Sequence, residues 1–354
     1  MREGFLLDPE VAYLNHGSFG ACAEPVFEEY QRLQRALERE PTDFLGRGLD
    51  ESMRAARRAL ASYIGARTDD LVFVPNATSG LNAVLRSLAI RPEEEILTTR
   101  HEYGAIQRTL EYVRANVVAC EPEDVVGSIG VRTRAVLVSH VTSPTARLLP
   151  VEEICEATRR AGVLTIVDGA HAPGQVPLNV AAVGADIYAG NCHKWLGAPK
   201  GSGFLWARRE HHAWIDPLVI SWGYHDDADF GERHGWQGTR DPAAFLAVPK
   251  AIEVHATFDL ERMRLLADLA EERLGELRIR RVAGVPAPFM RALVLRAADP
   301  AGLWERLYRE FRVEAPVYEW DGAAILRVSI GPYTDEGDVG RLVAALRELG
   351  VRGL

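Results

Sequence analysis

The sequence predicts an α/β protein with a large three-layer domain and a smaller α+β domain at its carboxyl-terminal end. Between about residues 71 and 207, short apolar runs alternate with helical patterns, as in a mostly parallel sheet that is buried on both faces. After about residue 240 the pattern changes to a long charged helical stretch, followed by alternating strand and helix patterns. A chain of 354 residues is also long for a single hydrophobic core, which favours two domains.

The predicted elements of the large domain begin with two amphipathic helices, over residues 24–40 and 50–64. The strands predicted after them are 71–74, 95–99, 116–120, 134–139, 163–168, 186–190 and 203–207, with helices at 78–89, 104–114 and 151–161. After the large domain we predict a long helical stretch over 242–280, then helices at 300–311 and 335–349 and strands at 291–297 and 323–330. We therefore assign residues 21–244 to the large domain and 245–354 to the small one, which residues 1–20 are expected to join.

The composition is that of an ordinary soluble globular protein, with 47% hydrophobic and 26% charged residues. A net charge of −9 without a basic stripe argues against nucleic acid as a partner. No apolar run reaches the roughly 18–20 residues that span a bilayer, and the first residues lack the pattern of a signal peptide, so we expect no membrane partner. The four cysteines are sparse and lack metal-site spacing, which predicts a cytoplasmic protein with reduced thiols and no metal site.

Polar residues follow several of the predicted strands, at the edge where open α/β sheets bind their ligands. After the first strand, Thr78 and Ser79 lie where a helix begins, and the unpaired N–H groups of a helix N-terminus attract phosphate. The alternative is an ordinary helix cap. Tyr103 follows the next strand and could stack on a planar ligand or pack as a loop tyrosine. Ser143 follows a later strand, in a Ser-Pro pair that is also typical of a turn.

Asp168 and Lys194 carry the strongest signal. Asp168 ends a strongly apolar strand, where a buried carboxylate is costly unless it has a partner; the alternative is a structural turn residue. Lys194 follows the next strand, so both side chains can reach one crevice. A partly buried lysine loses its proton readily and forms Schiff bases with aldehydes, whereas a loop lysine is usually a solvated charge.

These features together match the needs of pyridoxal 5′-phosphate (PLP): a lysine for the aldehyde, an acid for the pyridine nitrogen and an anion site for the phosphate. The phosphate-loop patterns of nucleotide-binding proteins are absent from the sequence. The sequence therefore predicts a PLP-binding crevice at the carboxyl ends of the strands.

The sequence resembles the fold-type I PLP enzymes of the class V aminotransferase family, and within it the isopenicillin N epimerase-like group. The resemblance covers almost the whole chain, and it implies the aspartate aminotransferase-like PLP-dependent transferase fold. The segments that carry it are "YLNHGSFG" (13–20), "NATSGLNAVL" (76–85), "HVTSPTARLLPV" (140–151), "VDGAHAPGQ" (167–175), "YAGNCHKWLGAPKGSGFLW" (188–206), "WQGTRD" (236–241) and "LRVSIGPYTDEGDV" (326–339).

The resemblance implies a catalytic role for four residues. Lys194 would form the internal aldimine with PLP and move the proton at the substrate α-carbon. Asp168 would pair with the pyridine nitrogen, His171 would approach the ring oxygen, and Tyr103 would stack on the ring, where desulfurase relatives often have histidine.

The resemblance also implies further binding residues and a homodimer with shared active sites. Arg327 would clamp the carboxylate of an amino-acid substrate, over which Asn15 and His16 would close. Gly238 and Thr239 would reach the phosphate of the partner subunit. Thr78, Ser79 and His193 would hold the phosphate, and so would Asn191, which stands where relatives commonly have serine. Ala77 and Ser143 are the remaining residues expected to contact the cofactor.

Three outcomes at the α-carbon stay open: epimerisation, transamination and β-elimination with C–S cleavage. A cysteine desulfurase-like reaction is disfavoured, because that group places its catalytic cysteine beyond the lysine, whereas the last cysteine here is Cys192. A non-catalytic PLP-fold regulator is disfavoured because Lys194, Asp168 and Arg327 are all present. Arg327 and the class V motifs also argue against a nucleotide-sugar aminotransferase.

Overall fold

A computed structural model describes residues 2–353 of the chain. Its strands are β1 (Ala12–Tyr13), β2 (Leu71–Val74), β3 (Glu95–Thr99), β4 (Asn116–Cys120), β5 (Thr133–Ser139), β6 (Leu164–Gly169), β7 (Ile187–Asn191), β8 (Gly203–Ala207), β9 (Arg280–Arg281), β10 (Met290–Leu295), β11 (Val313–Glu314), β12 (Val317–Trp320) and β13 (Ala323–Ser329). Its helices are α1 (Glu24–Arg39), α2 (Leu49–Tyr63), α3 (Ala77–Ser87), α4 (Gly104–Tyr112), α5 (Val151–Ala161), α6 (Val180–Val183), α7 (Phe230–Gly235), α8 (Ala243–Leu246), α9 (Val248–His255), α10 (Leu260–Gly275), α11 (Pro300–Phe311) and α12 (Glu336–Glu348).

The residues fall into two compact units, and the larger one comprises residues 25–141 and 149–255. Its seven-stranded sheet has the order β2-β8-β7-β6-β5-β3-β4. Strands β4, β3, β5, β6 and β7 pair in parallel, while β8 runs antiparallel to both β7 and β2. The predicted mostly parallel sheet, with a smaller α+β region at the carboxyl terminus, is confirmed.

One face of this sheet carries the core of the larger unit and ends in polar side chains. Alternate residues of β5, β6 and β7 pack with α3 in one hydrophobic cluster, as expected for strands whose side chains alternate between two faces. Continuing that alternation to the carboxyl end of each strand leads to Ser139 on β5, Asp168 on β6 and Asn191 on β7. Three neighbouring strands therefore present polar side chains on one face, at the edge where α3 begins.

One expectation for the elements was wrong. The sheet is not buried on both faces throughout, because β4 lies at its edge with only β3 beside it, and its residues 116–119 are exposed. The predicted helical stretch 242–280 contains three helices, α8, α9 and α10. Asp259 ends the continuity, since its side chain caps α10 by accepting a hydrogen bond from the Arg262 N–H at 2.9 Å.

The smaller unit comprises residues 2–24, 142–148 and 256–353. Its antiparallel sheet has the order β12-β13-β10-β9, and β1 pairs in parallel with β11. The segment that follows β1 lies beside β13, since Asn15 bridges to Ser329. Segment 142–148, for which the sequence indicated no such grouping, belongs to this unit. Over residues 2–353, no helix combines the length and apolar character needed to cross a bilayer.

Candidate active site

Lys194 lies in a tight turn between β7 and β8 of the larger unit. The Lys194 carbonyl accepts a hydrogen bond from the Gly197 N–H, and Gly197 has a φ of +74°, a left-handed conformation that glycine adopts without strain. Trp195 is buried and packs against Gly174, where an added Cβ would lie 2.5 Å from main-chain atoms of Trp195 and Leu196. The sequence "APGQ" therefore needs its glycine so that the lysine turn can approach.

His171 connects Lys194 to Trp195. The Lys194 Nζ atom lies 3.0 Å from His171 Nε2, and the Trp195 indole N–H donates to His171 Nδ1 at 3.3 Å. A neutral imidazole that accepts at Nδ1 carries its proton on Nε2, which can donate to Lys194 Nζ only when the lysine amine is uncharged. The resemblance predicts that Lys194 and His171 both lie at the cofactor. The hydrogen bond from the Trp195 indole to His171 was not predicted.

Asp168 is buried at the end of β6, beside Ser139 of β5 in the strand register. One carboxylate oxygen accepts a hydrogen bond from the Ala170 N–H at 2.8 Å, and within residues 2–353 the other oxygen accepts none. Burial raises the pKa of Asp168, while the Ala170 N–H and the positive charge of Lys194 lower it. This site therefore holds a buried carboxyl group with one oxygen available for a ligand.

Glu102 is a site residue that the sequence analysis missed. Its carboxyl group is buried, and Oε1 accepts hydrogen bonds from the Ser139 hydroxyl and the Tyr103 N–H, both at 2.8 Å. Burial raises the pKa of Glu102 to about 8, and the negative charge of Asp168 adds to the rise. The only sequence signal is its position immediately before the predicted stacking residue Tyr103, whose own side chain is 44% exposed.

The N-terminus of α3 carries the predicted phosphate site. Asn76 caps the helix by accepting from the Ser79 N–H at 2.8 Å, and Asn191 Oδ1 accepts from the Ala77 N–H at 2.8 Å. In the described chain, neither the Thr78 N–H nor the Asn191 Nδ2 group has a hydrogen-bond partner. Two donors therefore remain at the positive end of a helix dipole, as an anion site requires.

His193 is half-buried next to the lysine, and its Nδ1 atom lies 2.8 Å from the Ser202 carbonyl, to which it donates. Burial lowers the pKa of His193 to about 4, so the ring is neutral at pH 7 and Nε2 carries a lone pair. A neutral Nε2 cannot donate to a phosphate oxygen. For His193 to donate to the phosphate, as predicted, the negative charge of the bound anion must raise the His193 pKa so that Nε2 takes up a proton.

Gly238 and Thr239, the residues predicted to reach the partner subunit, lie in a loop after α7. Gly238 has a φ of +98° and is half-buried, whereas Thr239 is exposed. Gly238 lines a cavity of about 380 Å³ whose walls include Trp222 and Trp236. Trp222 is 89% exposed and belongs to an apolar segment of the surface, residues 217–224.

In the smaller unit, Arg327 of β13 is buried and held by two serines. One terminal nitrogen donates to the Ser143 carbonyl at 2.9 Å and to its hydroxyl at 3.1 Å, and the other contacts the Ser18 hydroxyl. The Arg327 Nε atom is buried without a hydrogen-bond partner among the described residues. Ser143, predicted to contact the cofactor, thus orients the predicted carboxylate clamp in this structure, and its cofactor contact stays a prediction.

Asn15 and His16 make different contacts in the same unit. Asn15 Nδ2 donates to Glu314 Oε1 at 2.9 Å, and His16 Nδ1 lies 3.0 Å from the Tyr333 hydroxyl. Both side chains are buried. Their closure over a substrate stays a prediction, because these contacts fix them within the unit.

The residues of the larger unit fit PLP. The free oxygen of buried Asp168 suits a protonated pyridine nitrogen, and the free donors of Thr78 and Asn191 suit a phosphate. Lys194 supplies the amine that the aldehyde needs.

Comparisons with known proteins agree with this chemistry. The pattern of the family described as aminotransferase class V matches residues 24–295. An isopenicillin N epimerase from Amycolatopsis lactamdurans is 37% identical over 98% of this chain and 97% of its own length. A putative L-cysteine desulfhydrase 1 from Oryza sativa subsp. japonica is 30% identical over 70% of this chain and 58% of its own length.

Among solved structures, the cystine C–S lyase C-DES in complex with cysteine persulfide has a TM-score of 0.85. It is 21% identical in sequence, and the match covers 98% of this chain and 99% of that one. The likeness shows a shared fold. The chain belongs to the class V aminotransferase family of PLP-dependent enzymes.

Proposed function

We propose that the enzyme removes the α-proton of an amino acid with Lys194 Nζ as the base. The observation that supports this most is the 3.0 Å contact between Lys194 Nζ and His171 Nε2, at a strand end beside Asp168. PLP, when bound, withdraws electrons from the bonds at the substrate α-carbon. Asp168 would hold the pyridine nitrogen, and Thr78 with Asn191 would hold the phosphate. Arg327 would bind the substrate carboxylate through two parallel hydrogen bonds.

We propose epimerisation of an amino acid as the outcome. The name of the relative that is 37% identical along nearly the whole chain supports it. Epimerisation needs a proton removed from one face of the α-carbon and returned to the other. Lys194 Nζ would serve one face, and we assign the hydroxyl of Tyr103, in the same unit, to the other.

β-Elimination with C–S cleavage is the second candidate, because it needs only Lys194 and a leaving group. The desulfhydrase name of a relative 30% identical to the chain favours it over transamination. A desulfurase reaction is not favoured, since burial raises the pKa of the Cys192 thiol well above its usual range and Cys192 precedes Lys194. No later cysteine exists in the chain to accept sulfur.

A panel of L-amino acids in deuterated water separates these outcomes. Epimerisation gives the D-isomer with deuterium at the α-carbon, β-elimination gives pyruvate with ammonia, and transamination gives a keto acid only with an amino acceptor. We expect the D-isomer as the main product from at least one substrate. Pyruvate with ammonia as the main product would contradict epimerisation and would instead indicate β-elimination with C–S cleavage.

Asn191 tests the proposed phosphate site. Asn191→Asp keeps an oxygen for the Ala77 N–H but replaces two donors with a negative charge, so we expect PLP affinity to fall by about 10-fold or more. Titration of the apoprotein with PLP, followed by absorbance, measures this. Asn179→Asp is the control, because the Asn179 side-chain oxygen also accepts from a main-chain N–H in the first turn of a helix, that of Ala182 in α6, at 3.0 Å. Equal losses in both variants would remove the phosphate from this site.

We also propose a homodimer, which the resemblance implies through Gly238 and Thr239. Its support in the structure is the exposed apolar segment 217–224, since large exposed apolar patches mark interaction surfaces. We expect Trp222→Asp to reduce the mass in solution from twice 39.1 kDa to one chain, as measured by light scattering after gel filtration. The control is Val131→Asp, at a single exposed apolar residue elsewhere. A wild-type mass of one chain would contradict the dimer.

A cytoplasmic location is our remaining proposal. Cys22, Cys120, Cys155 and Cys192 form no disulfide within residues 2–353, as expected in a reducing compartment. Fractionation of the source cells tests it, and recovery outside the cytoplasm would overturn it.

A further inference from the structure

Glu102 has one carboxyl oxygen that its surroundings satisfy and one that they do not. Oε1 accepts from the Ser139 hydroxyl and the Tyr103 N–H, which fills both of its lone pairs. Oε2 is buried and, among residues 2–353, has no hydrogen-bond partner. An ionised carboxylate would leave a buried anionic oxygen without a donor, which is costly. A proton on Oε2 removes that charge and makes the oxygen a donor.

Asp168 is the charged neighbour that decides which of the two groups is ionised. Two buried carboxyl groups whose charges act on one another do not both ionise readily. The positive charge of Lys194 acts on Asp168, and the Ala170 N–H donates to it. The charge that acts most strongly on Glu102 is the negative charge of Asp168. The negative charge is therefore better placed on Asp168.

The histidines near this pair take up other partners. His101 Nε2 lies 3.1 Å from a carboxylate oxygen of Glu121, and His140 Nδ1 lies 2.7 Å from the Tyr188 hydroxyl. Burial lowers the pKa of His140 to about 4, so it adds no positive charge at neutral pH. Burial and the charge of Asp168 therefore raise the pKa of Glu102, and this rise outweighs the lowering by hydrogen bonds from Tyr103 and Ser139.

We infer that Glu102 is a neutral carboxylic acid in the folded protein and acts as a positioning residue that keeps the single negative charge of the Glu102–Asp168 pair on Asp168. This inference rests on the proposed role of Asp168 at the pyridine nitrogen. Through its bonds to Ser139 and the Tyr103 main chain, Glu102 also ties the proposed stacking residue to the strand beside Asp168. The raised pKa of Glu102, about 8, is consistent with a proton held at pH 7.

Infrared spectroscopy of the holoenzyme reads the proton directly. We expect a carbonyl band of a protonated carboxylic acid at pH 7 that disappears in Glu102→Gln and persists in Asp168→Asn. The band should titrate near pH 8 in the wild type and at lower pH in Asp168→Asn, because the like charge is gone. Glu95→Gln is the matched control, at another buried glutamate, which pairs with Arg132. It should leave the band intact.

The pH dependence of the free energy of unfolding gives a second test. An ordinary structural hydrogen bond would not produce the dependence expected here. A carboxyl group whose pKa is raised on folding loses stability as pH rises from its unfolded value, near 4.5, to its folded value, near 8. The urea midpoint of the Glu102→Gln apoprotein, relative to that of the wild type, should therefore rise between pH 5 and pH 8. Above pH 8 the difference between the two midpoints should no longer change. The Glu95→Gln variant should show no such gain.

Three results would overturn the inference: no acid band in the wild type, a band lost only in Asp168→Asn, or a Glu102→Gln penalty that is constant with pH. The proposed function can fail separately, since the wild type would then bind no PLP while the acid band and the stability profile stay measurable. Glu102→Gln, which mimics the neutral acid, should bind PLP within about 3-fold of the wild type at pH 7. A loss larger than 10-fold would mean that the charged form is needed.

Discussion

Replacing Lys194 with alanine should lower turnover of any amino-acid substrate by about 10⁴-fold or more. The amine is both the proposed attachment point of PLP and the proposed base at the α-carbon, so the variant loses two roles at once. The purified variant should also lack the yellow absorbance near about 420 nm that a lysine–PLP Schiff base gives. Steady-state assays and an absorbance spectrum at equal protein concentration measure both effects.

Lys200→Ala is the matched control for this prediction. Lys200 lies in the same loop between β7 and β8 but is exposed, so its loss should leave colour and turnover near those of the wild type. A Lys194→Ala protein that stays yellow and resists removal of PLP by dialysis would show that another group holds the cofactor. A colourless wild type that stays colourless after PLP is added would contradict the proposal as a whole.

Replacing Arg327 with alanine should raise the KM for an amino-acid substrate by about 30- to 700-fold. This corresponds to about 2–4 kcal/mol of charge-assisted hydrogen bonding to the substrate carboxylate. Arg327→Lys should recover only part of the loss, because an ammonium group cannot make the two parallel bonds of a guanidinium. Steady-state kinetics with the best substrate of the panel measures the effect.

A substrate amide separates loss of the clamp from general damage. The wild type should discriminate strongly between an amino acid and its carboxamide, whereas Arg327→Ala should treat them nearly alike. The guanidinium also donates to Ser143, so the thermal midpoint of each variant must be compared with that of the wild type. If the alanine variant keeps the wild-type preference for the carboxylate, another group binds it.

The sequence predicts a large part of this site because its residues follow apolar strands. Asp168 and Lys194 interrupt strongly apolar runs, and parallel strands bring their carboxyl ends to one edge of the sheet. The start of α3 at Thr78 and Ser79 is predictable for the same reason, because it follows an apolar strand. In these cases the local sequence pattern is sufficient to predict where the site residues lie.

Features that depend on contacts between distant segments were not predictable. Glu102 is buried with its carboxyl group accepting a hydrogen bond from the Ser139 hydroxyl of β5. That contact cannot be read from a single sequence. Strand β4 is as apolar as a buried strand, yet it lies at the sheet edge where Val117 and Val118 stay exposed. The grouping of segment 142–148 with the smaller unit likewise follows from contacts with residues far along the chain, such as Arg327.

The proposed chemistry depends on Lys194 as the residue that holds PLP. The chain contains only three lysines, Lys194, Lys200 and Lys250, so the lysine that holds PLP can be identified directly. Reduction of the PLP-loaded wild type with borohydride, followed by proteolysis and mass spectrometry, identifies the lysine that holds PLP. We predict that the modified peptide contains Lys194 alone, at close to one PLP per chain. A modification on Lys200 or Lys250, or no modified peptide from a yellow protein, would contradict the account.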